Sequence, residues 1–168
     1  MDQNEKNQPM AERTLMLADI AATRALAARL GPLLRVGDVV ALFGGLGAGK
    51  TAFVRALIQH LQAPLRAVED VPSPTFSLVQ QYQIGPLELW HFDLYRLSGP
   101  EETDELGMEE AFANGVSMIE WPERLGSRLP RQRLEIYLEF PSDAGMQENR
   151  RMARLVGYGD WSERMQNV

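Results

Sequence analysis

The most regular pattern of apolar residues lies over positions 39–61. Residues 39–43 are continuously apolar, as in a buried strand of a parallel sheet, and a glycine-rich loop follows them. Over residues 50–61 the apolar side chains recur at helical spacing, at Phe53, Val54, Leu57, Ile58 and Leu61. The pattern therefore predicts a strand, a loop and a helix in immediate succession.

A strand and a helix are predicted before this unit. Residues 13–17 alternate enough for a short strand, and Asp19 is suited to cap an alanine-rich helix that reaches about Leu30. Gly31 and Pro32 are typical of the end of a helix. The chain then turns at Gly37-Asp38 into the apolar run.

Shorter apolar runs, prolines and turn residues alternate beyond residue 62. They first predict a proline-rich loop over residues 63–74 and strands over 76–83 and 87–93. A helix begun by a Ser98–Glu101 capping box and broken at Gly107 follows. The remaining predicted strands are 116–120, 134–140 and 151–157, of which the last lies at an edge of the sheet. This order predicts an α/β fold, a three-layer P-loop sandwich with a mixed, mostly parallel central sheet. We expect one domain over residues 11–159, between a flexible polar segment 1–10 and a polar tail 160–168.

Composition narrows the class of protein. The chain has 168 residues, a net charge of -6 and no cysteine, which fits one globular domain and excludes a disulfide framework, a thiolate metal site and a thiol nucleophile. Domains that wrap nucleic acid by themselves need clustered Lys and Arg, so we expect any RNA contact to be made through partners. No apolar run is long enough to span a bilayer, and we expect a cytoplasmic protein.

The candidate chemistry lies in the loop between the buried strand and the helix. It matches G-x-x-x-x-G-K-[ST] at Gly44, Gly45, Leu46, Gly47, Ala48, Gly49, Lys50 and Thr51. Glycines allow consecutive backbone N–H groups to point at phosphate oxygens, and the helix N-terminus favours negative charge. Lys50 is suited to bridge the β- and γ-phosphates, and the Thr51 hydroxyl to bind Mg²⁺. A turn that only caps a helix is the alternative, but the strand before and the helix after favour nucleotide binding.

The base of the nucleotide is a separate question. A GTPase normally carries an N-K-x-D signature, and neither of the two lysines, Lys6 and Lys50, lies in such a setting. We therefore expect ATP rather than GTP.

Two acidic residues end neighbouring predicted strands, Asp93 after residues 87–92 and Glu120 after residues 116–119. Ligands of open α/β sheets bind at the carboxyl ends of the strands, so both carboxylates can face the nucleotide. A strand-end carboxylate is otherwise a solvated surface group, and spacing alone does not rank the two.

Four further features are less specific. Residues 73–76 are either a hydroxyl-bearing loop near the γ-phosphate or a loop that enters a strand. His60 is expected to interact with a helix C-terminus, and His91 to be a satisfied, half-buried histidine. Trp121, beside Pro122, is expected either to pack in the core or to lie on the surface near the nucleotide.

Four motifs in this order resemble the bacterial TsaE family, also called YjeE, over roughly residues 13–161. They are the phosphate loop 44–51, Ser73-Pro74-Thr75-Phe76, His91-Phe92-Asp93-Leu94-Tyr95-Arg96 and Ile119-Glu120-Trp121-Pro122-Glu123-Arg124. The resemblance implies a small ATPase that uses ATP and Mg²⁺ and works with TsaD and TsaB. Their product is N6-threonylcarbamoyladenosine at position 37 of tRNAs that read codons starting with A, and tRNA is contacted through that complex.

The resemblance also implies roles for individual residues. Lys50 and Thr51 hold phosphate and Mg²⁺, Glu120 completes the metal site, and Asp93 is needed for hydrolysis. Trp121 lies close to the nucleotide, and Thr75 lies in a switch-like loop. The family often has Asp after the first glycine of the phosphate loop, where this chain has Gly45, so any contact made by that Asp is in doubt.

Two other functions use the same phosphate loop. A small-molecule kinase would need an acceptor pocket and an arginine-bearing lid, for which Arg124, Arg128, Arg131 and Arg133 are the candidates. A nucleotide-gated binding module would use the ATP state to set the affinity for a partner, with residues 72–75 as the moving part.

Overall fold

The central sheet has seven strands within the described part of the chain, residues 11–66, 68–142 and 149–168 of a computed structural model. The strands are β1 (Ala11–Leu17), β2 (Val39–Phe43), β3 (Val79–Ile84), β4 (Leu87–Asp93), β5 (Val116–Glu120), β6 (Arg133–Glu139) and β7 (Arg151–Tyr158). Their order across the sheet is β1-β7-β6-β2-β5-β4-β3. The four central strands β6, β2, β5 and β4 are parallel, and the outer pairings are antiparallel. The predicted mixed sheet with a parallel centre is confirmed.

Helices flank this sheet. They are α1 (Ile20–Leu30), α2 (Lys50–Gln62), α3 (Met108–Asn114) and the short α4 (Trp161–Arg164), and 3-10 turns lie at Gly31–Leu33, Ala63–Leu65, Pro100–Leu106, Pro122–Arg128 and Met165–Asn167. Helix α1 begins as predicted, because the Asp19 side chain accepts a hydrogen bond of 2.8 Å from the backbone N–H of Ala22. None of the described helices has the length and apolar character that crossing a membrane requires.

Apolar side chains fill both faces of the sheet. On one face, Leu42 of β2 belongs to a cluster with Leu26 of α1 and Phe53 of α2. On the other face, Val39 of β2 joins Phe92 of β4 and Met108 of α3. Because side chains of a strand alternate between faces, the continuous apolar run of β2 serves both clusters. Helices on two sides of one sheet make the three layers that the sequence predicts.

The start of strand β3 differs from the prediction. The sequence predicts a strand from residue 76, but β3 begins at Val79. Residues 75–77 form a turn, the backbone N–H of Leu78 donates to the Pro74 carbonyl at 2.6 Å, and Leu78 has a φ of 67°. Because Leu78 has this left-handed backbone conformation, the extended strand cannot include it and begins at the next residue.

The helical region after residue 98 also differs. The predicted capping box between Ser98 and Glu101 is wrong, because the backbone N–H of Ser98 donates to the Glu102 carboxylate instead, at 2.9 Å. The helix starts as a 3-10 segment at Pro100, with Gly99 before it and no side-chain cap. A proline at the first helical position has no N–H to be capped there.

Strand β7 was predicted at an edge of the sheet, and this is wrong. It lies between β6 and β1 and pairs with both along its length. The edge on this side is β1, which comes from the opposite end of the described chain.

Residues 160–168, predicted to be a polar tail, pack against the sheet. Trp161, Met165 and Val168 are buried in the same cluster as α1 and α2. Arg164 binds both carboxylate oxygens of Asp38, at 2.8 and 2.6 Å, which ties this segment to the turn before β2. The predicted polar segment 1–10 lies outside the described residues.

Candidate functional site

The phosphate loop connects the end of β2 to the first residue of α2. Gly44 has a φ of +146°, and a Cβ at this position would lie 2.5 Å from the Leu138 carbonyl oxygen of β6. Gly49 precedes α2 with a φ of +106°. Both positions need glycine, because L side chains rarely adopt such backbone angles. The loop therefore curls at the N-terminus of α2, where backbone N–H groups and the helix dipole favour an anion.

Lys50 lies inside this loop with only 5% of its surface exposed. Its Nζ donates to the carbonyl oxygens of Gly44 and Gly45, at 2.5 and 2.8 Å. Burial lowers the pKa of Lys50, while the charges of Glu120, Glu123 and Asp93 oppose that shift. The ammonium is thus held by neutral acceptors, which are weaker partners than the charged oxygens of a phosphate.

Glu120 ends β5 beside the phosphate loop. Its carboxylate accepts hydrogen bonds from the Thr51 hydroxyl, which lies 2.8 Å from Oε1 and 3.0 Å from Oε2. The structure therefore brings together the hydroxyl that the phosphate-loop motif assigns to Mg²⁺ and the carboxylate that the family resemblance assigns to it. Both supply oxygen ligands, which Mg²⁺ prefers, so these residues fit the ion.

No cluster of three or more His, Cys, Asp or Glu residues suited to a metal ion occurs in residues 11–66, 68–142 and 149–168.

Asp93 ends β4 and is the register partner of Glu120. Its Oδ2 accepts a hydrogen bond of 2.8 Å from the Thr75 hydroxyl, and its Oδ1 accepts one of 3.0 Å from the backbone N–H of Tyr95. Ser73 also points at this carboxylate, 3.4 Å from Oδ2, and lies 2.7 Å from Thr75. The two predicted strand-end carboxylates thus meet at one edge of the sheet, and Asp93 holds the proline-rich loop there.

Trp121 covers Lys50 from the side of β5. The centroid of its ring lies 4.1 Å from Nζ, a cation–π distance, and Tyr95 packs on the same ring at 4.8 Å. Trp121 has φ 59° and ψ 48°, which costs a residue other than glycine on the order of 1–3 kcal/mol. Strained backbone of this kind is concentrated at functional sites.

These groups line a cleft of about 310 Å³. The lining residues are Leu46, Gly47, Ala48, Gly49, Lys50, Thr51, Ala52, Ser73, Thr75, Asp93, Tyr95, Glu120 and Trp121. Of the candidate site residues, Gly44 and Gly45 do not line the cleft but accept hydrogen bonds from Lys50.

The arginines considered for a kinase lid do not line this cleft. Arg128 pairs with Asp104 and donates to the Pro100 carbonyl. Arg133, the first residue of β6, pairs with Glu135 of the same strand at 2.7 Å.

Comparison with known proteins identifies the family of this site. Residues 17–152 match the family model described as "Threonylcarbamoyl adenosine biosynthesis protein TsaE". The chain belongs to the TsaE family. The resemblance that the four motifs indicate is thereby confirmed, and with it a family that takes part in tRNA threonylcarbamoyladenosine biosynthesis.

Individual relatives give the same result. The chain is 38% identical over 142 residues to the tRNA threonylcarbamoyladenosine biosynthesis protein TsaE of Rickettsia felis, which covers 84% of this chain and 78% of that protein. It is 36% identical over 122 residues to the TsaE of Bacillus subtilis, covering 72% of this chain and 73% of the relative. The crystal structure of Bacillus subtilis YdiB is similar, with a TM-score of 0.74, 27% identity and 92% coverage of both chains.

Two residues of this TsaE-family site escaped the sequence analysis. His91 is fully buried, not half-buried as expected, and its Nε2 lies 2.8 Å from Glu120 Oε1. Arg151 of β7 donates from Nε to the Ala48 carbonyl at 3.0 Å and from Nη2 to that of Gly47 at 3.1 Å. The position of His91, two residues before Asp93 on one predicted strand, is a signal that could have placed it near the site. No residue near Arg151 in the sequence indicates a contact with the phosphate loop. His60 is exposed at the end of α2, away from the cleft.

Proposed function

We propose that this chain is a Mg²⁺-dependent ATPase required for forming N6-threonylcarbamoyladenosine at position 37 of tRNAs that read codons starting with A, acting with TsaD and TsaB. The observation that carries the proposal is the meeting of Lys50, Thr51 and Glu120 at the phosphate loop, with Thr51 Oγ1 2.8 Å from Glu120 Oε1. Membership of the TsaE family supports the tRNA product.

Binding of the triphosphate relies on the loop and on Lys50. Backbone N–H groups at the start of α2 donate hydrogen bonds to phosphate oxygens. Lys50 leaves the Gly44 and Gly45 carbonyls, to which it donates in this structure, and binds the β- and γ-phosphates instead. Thr51 and Glu120 would hold Mg²⁺, which neutralises charge that develops on the phosphates. The absence of a guanine signature favours ATP.

Hydrolysis needs a group that orients the attacking water. Asp93 is our candidate, because it lines the cleft beside Glu120 and binds Thr75 of the proline-rich loop. A change in the Thr75–Asp93 hydrogen bond would couple the state of the nucleotide to the position of residues 72–75.

Apolar side chains around the cleft support a protein partner. Leu46 is 67% exposed and Phe76 is 86% exposed, and both lie on loops that border the cleft. Contiguous exposed apolar surface is typical of a protein interaction site, and these two side chains are our candidates for part of one. The net charge of -6 favours contact with the protein complex over contact with tRNA.

We expect slow hydrolysis by the isolated chain, because phosphate-loop sites without a supplied activating group are slow. An arginine or a rearranged loop at a partner interface raises turnover by roughly 10³–10⁵-fold in the best cases. TsaD and TsaB are therefore expected to stimulate the ATPase.

The test follows modified tRNA over many catalytic cycles. Purified TsaD, TsaB, tRNA, Mg-ATP and an activated donor of the threonylcarbamoyl group receive the wild-type chain, Lys50→Ala, or no chain, and threonylcarbamoyladenosine is counted per complex. We expect repeated turnover only with the wild type. Arg29→Ala, which removes an exposed positive charge from the last turn of α1, is the charge-matched control and should behave as wild type. Equal yields in all reactions would remove the tRNA-modification proposal.

A further inference from the structure

His91 is a buried polar side chain between the apolar core and the carboxylates of the cleft. It lies on β4, on the face of the sheet that packs against α1 and α2, and it is 0% exposed. Leu89, two residues earlier on the same face, belongs to the apolar cluster that α1 and α2 form with the sheet. Met118 of β5, which lies opposite His91, belongs to the same cluster. A histidine here has to be explained by what it binds.

The side chain of His91 makes one hydrogen bond in the described part of the chain, which joins Nε2 to Glu120 Oε1 at 2.8 Å. The carboxylate accepts, so Nε2 carries the proton and donates. Within the described ranges Nδ1 has no hydrogen-bond partner. Because Nδ1 then bears only a lone pair, this tautomer avoids a buried donor without an acceptor.

The hydrogen bond fixes Glu120 from the core side. On the cleft side the same carboxylate accepts from Thr51, at 2.8 Å from Oε1 and 3.0 Å from Oε2. Glu120 is 2% exposed, so its carboxylate is surrounded mainly by protein groups. The imidazole and the hydroxyl together leave the carboxylate one orientation, in which it faces the first turn of α2.

We propose that His91 is a positioning residue, whose Nε2–H holds the Glu120 carboxylate in place for the magnesium ion. The inference rests on the proposed function, since it assigns a support to the same site. Loss of a residue that holds a metal ligand in place commonly weakens metal affinity by about 10–100-fold. His91 touches neither nucleotide nor ion in this account and acts through Glu120 alone.

The experiment measures binding, not turnover. Calorimetric titrations give the affinity for ATP without Mg²⁺ and the Mg²⁺ concentration that half-saturates the ATP-loaded chain, for wild type, His91→Leu and His91→Gln. We expect His91→Leu to raise this concentration by about 10–100-fold, with Mg²⁺-free ATP affinity unchanged. His91→Gln should stay close to wild type, because its amide reaches the position of Nε2 and still donates.

Leu89→Val is the matched control. It disturbs the same face of the same strand but has no hydrogen bond to Glu120, so we expect lower thermal stability and an unchanged Mg²⁺ requirement. If His91→Leu shifts the requirement no more than Leu89→Val does, His91 is only a core residue and the inference is overturned.

His91→Asn keeps the test decisive if His91→Leu does not fold. The Asn amide is shorter and reaches the position of Nδ1, so His91→Asn should raise the Mg²⁺ requirement while His91→Gln does not. Equal requirements for these two variants overturn the inference. A wild-type chain that binds ATP identically with and without Mg²⁺ overturns the proposed function, and this inference with it.

Discussion

The phosphate loop and the carboxylate cluster line the same cleft but are built in different ways. The loop is shaped by backbone, with glycines at the strained positions 44 and 49. Lys50 donates to the loop's own carbonyls, and Thr51 donates to Glu120 of the cluster. The cluster is built of side chains from separate elements, with Asp93 from β4, Glu120 from β5 and Thr75 from the proline-rich loop. The loop should therefore tolerate side-chain changes that the cluster does not.

The largest effect is expected in the cluster, from Asp93→Asn. The variant keeps the size of the side chain but loses the charge, so hydrolysis should fall by about 10²–10⁴-fold, the usual contribution of a positioned acid or base. Affinity for Mg-ATP should change little, because Asp93 is not among the expected ligands.

The control for this variant is Glu123→Gln, which removes an exposed carboxylate that also acts on Lys50. Steady-state kinetics and calorimetry on both variants check the prediction. Abolished Mg²⁺-dependent binding in Asp93→Asn would mean that the roles of Asp93 and Glu120 are reversed.

Lys50→Ala should have the next largest effect, on affinity. Hydrogen bonds to charged groups contribute about 1.5–3 kcal/mol each, so loss of two phosphate contacts should weaken ATP binding by about 100-fold or more. Leu46→Ala, in the same loop with an exposed side chain, should bind normally. Unchanged Mg-ATP affinity together with unchanged turnover in Lys50→Ala would contradict the role of the lysine.

A spectroscopic signal should link the two regions. Lys50 Nζ lies 4.1 Å from the Trp121 ring, so moving the ammonium to a phosphate should change the indole fluorescence. Trp90 and Trp161 are buried outside the cleft and should contribute little. Titration of Trp121→Phe with Mg-ADP checks this, and a fully retained signal in that variant would place the reporter elsewhere.

The smallest effect is expected from Gly45→Asp, which introduces the residue common in the family. Apart from Gly45 itself and its two neighbours in the chain, no described residue has an atom within 4 Å of a Cβ at position 45, and the φ of Gly45 is not in the left-handed region. The free energy of unfolding should therefore stay within about 0.5 kcal/mol of wild type. Gly44→Ala is the contrast, since its Cβ meets the Leu138 carbonyl. Equal destabilisation of the two variants in urea unfolding would show that the loop is not backbone-shaped at position 45.

Elements that depend on neighbouring residues could be predicted from the sequence. Strand β2, the phosphate loop and the start of α2 lie where the apolar run and the glycine spacing indicate. Asp93 and Glu120 could be placed at one edge because parallel strands end together. Their separate roles could not, because the two carboxylates occupy equivalent positions on adjacent strands.

What the sequence analysis missed depends on contacts between distant residues. Nothing near residues 151–157 indicates that β1 covers their outer side. The buried C-terminal segment did carry a signal, since Trp161, Met165 and Val168 recur at helical spacing among polar neighbours. His91 could not be joined to Glu120 before the register of β4 and β5 was known.

The pairing of β1 with β7 has a consequence for how the chain acquires its structure on the ribosome. Ala11 lies opposite Gly157, so the first described strand has no partner in the sheet until the residues of β7 have been synthesised. Such distant contacts close late and slowly, because the loop between them must first be ordered. The parallel centre with the phosphate loop is complete once β6 has emerged. The phosphate loop and the two strand-end carboxylates can thus come together before β1 has its partner, and pairing with β7 later joins β1 to the sheet.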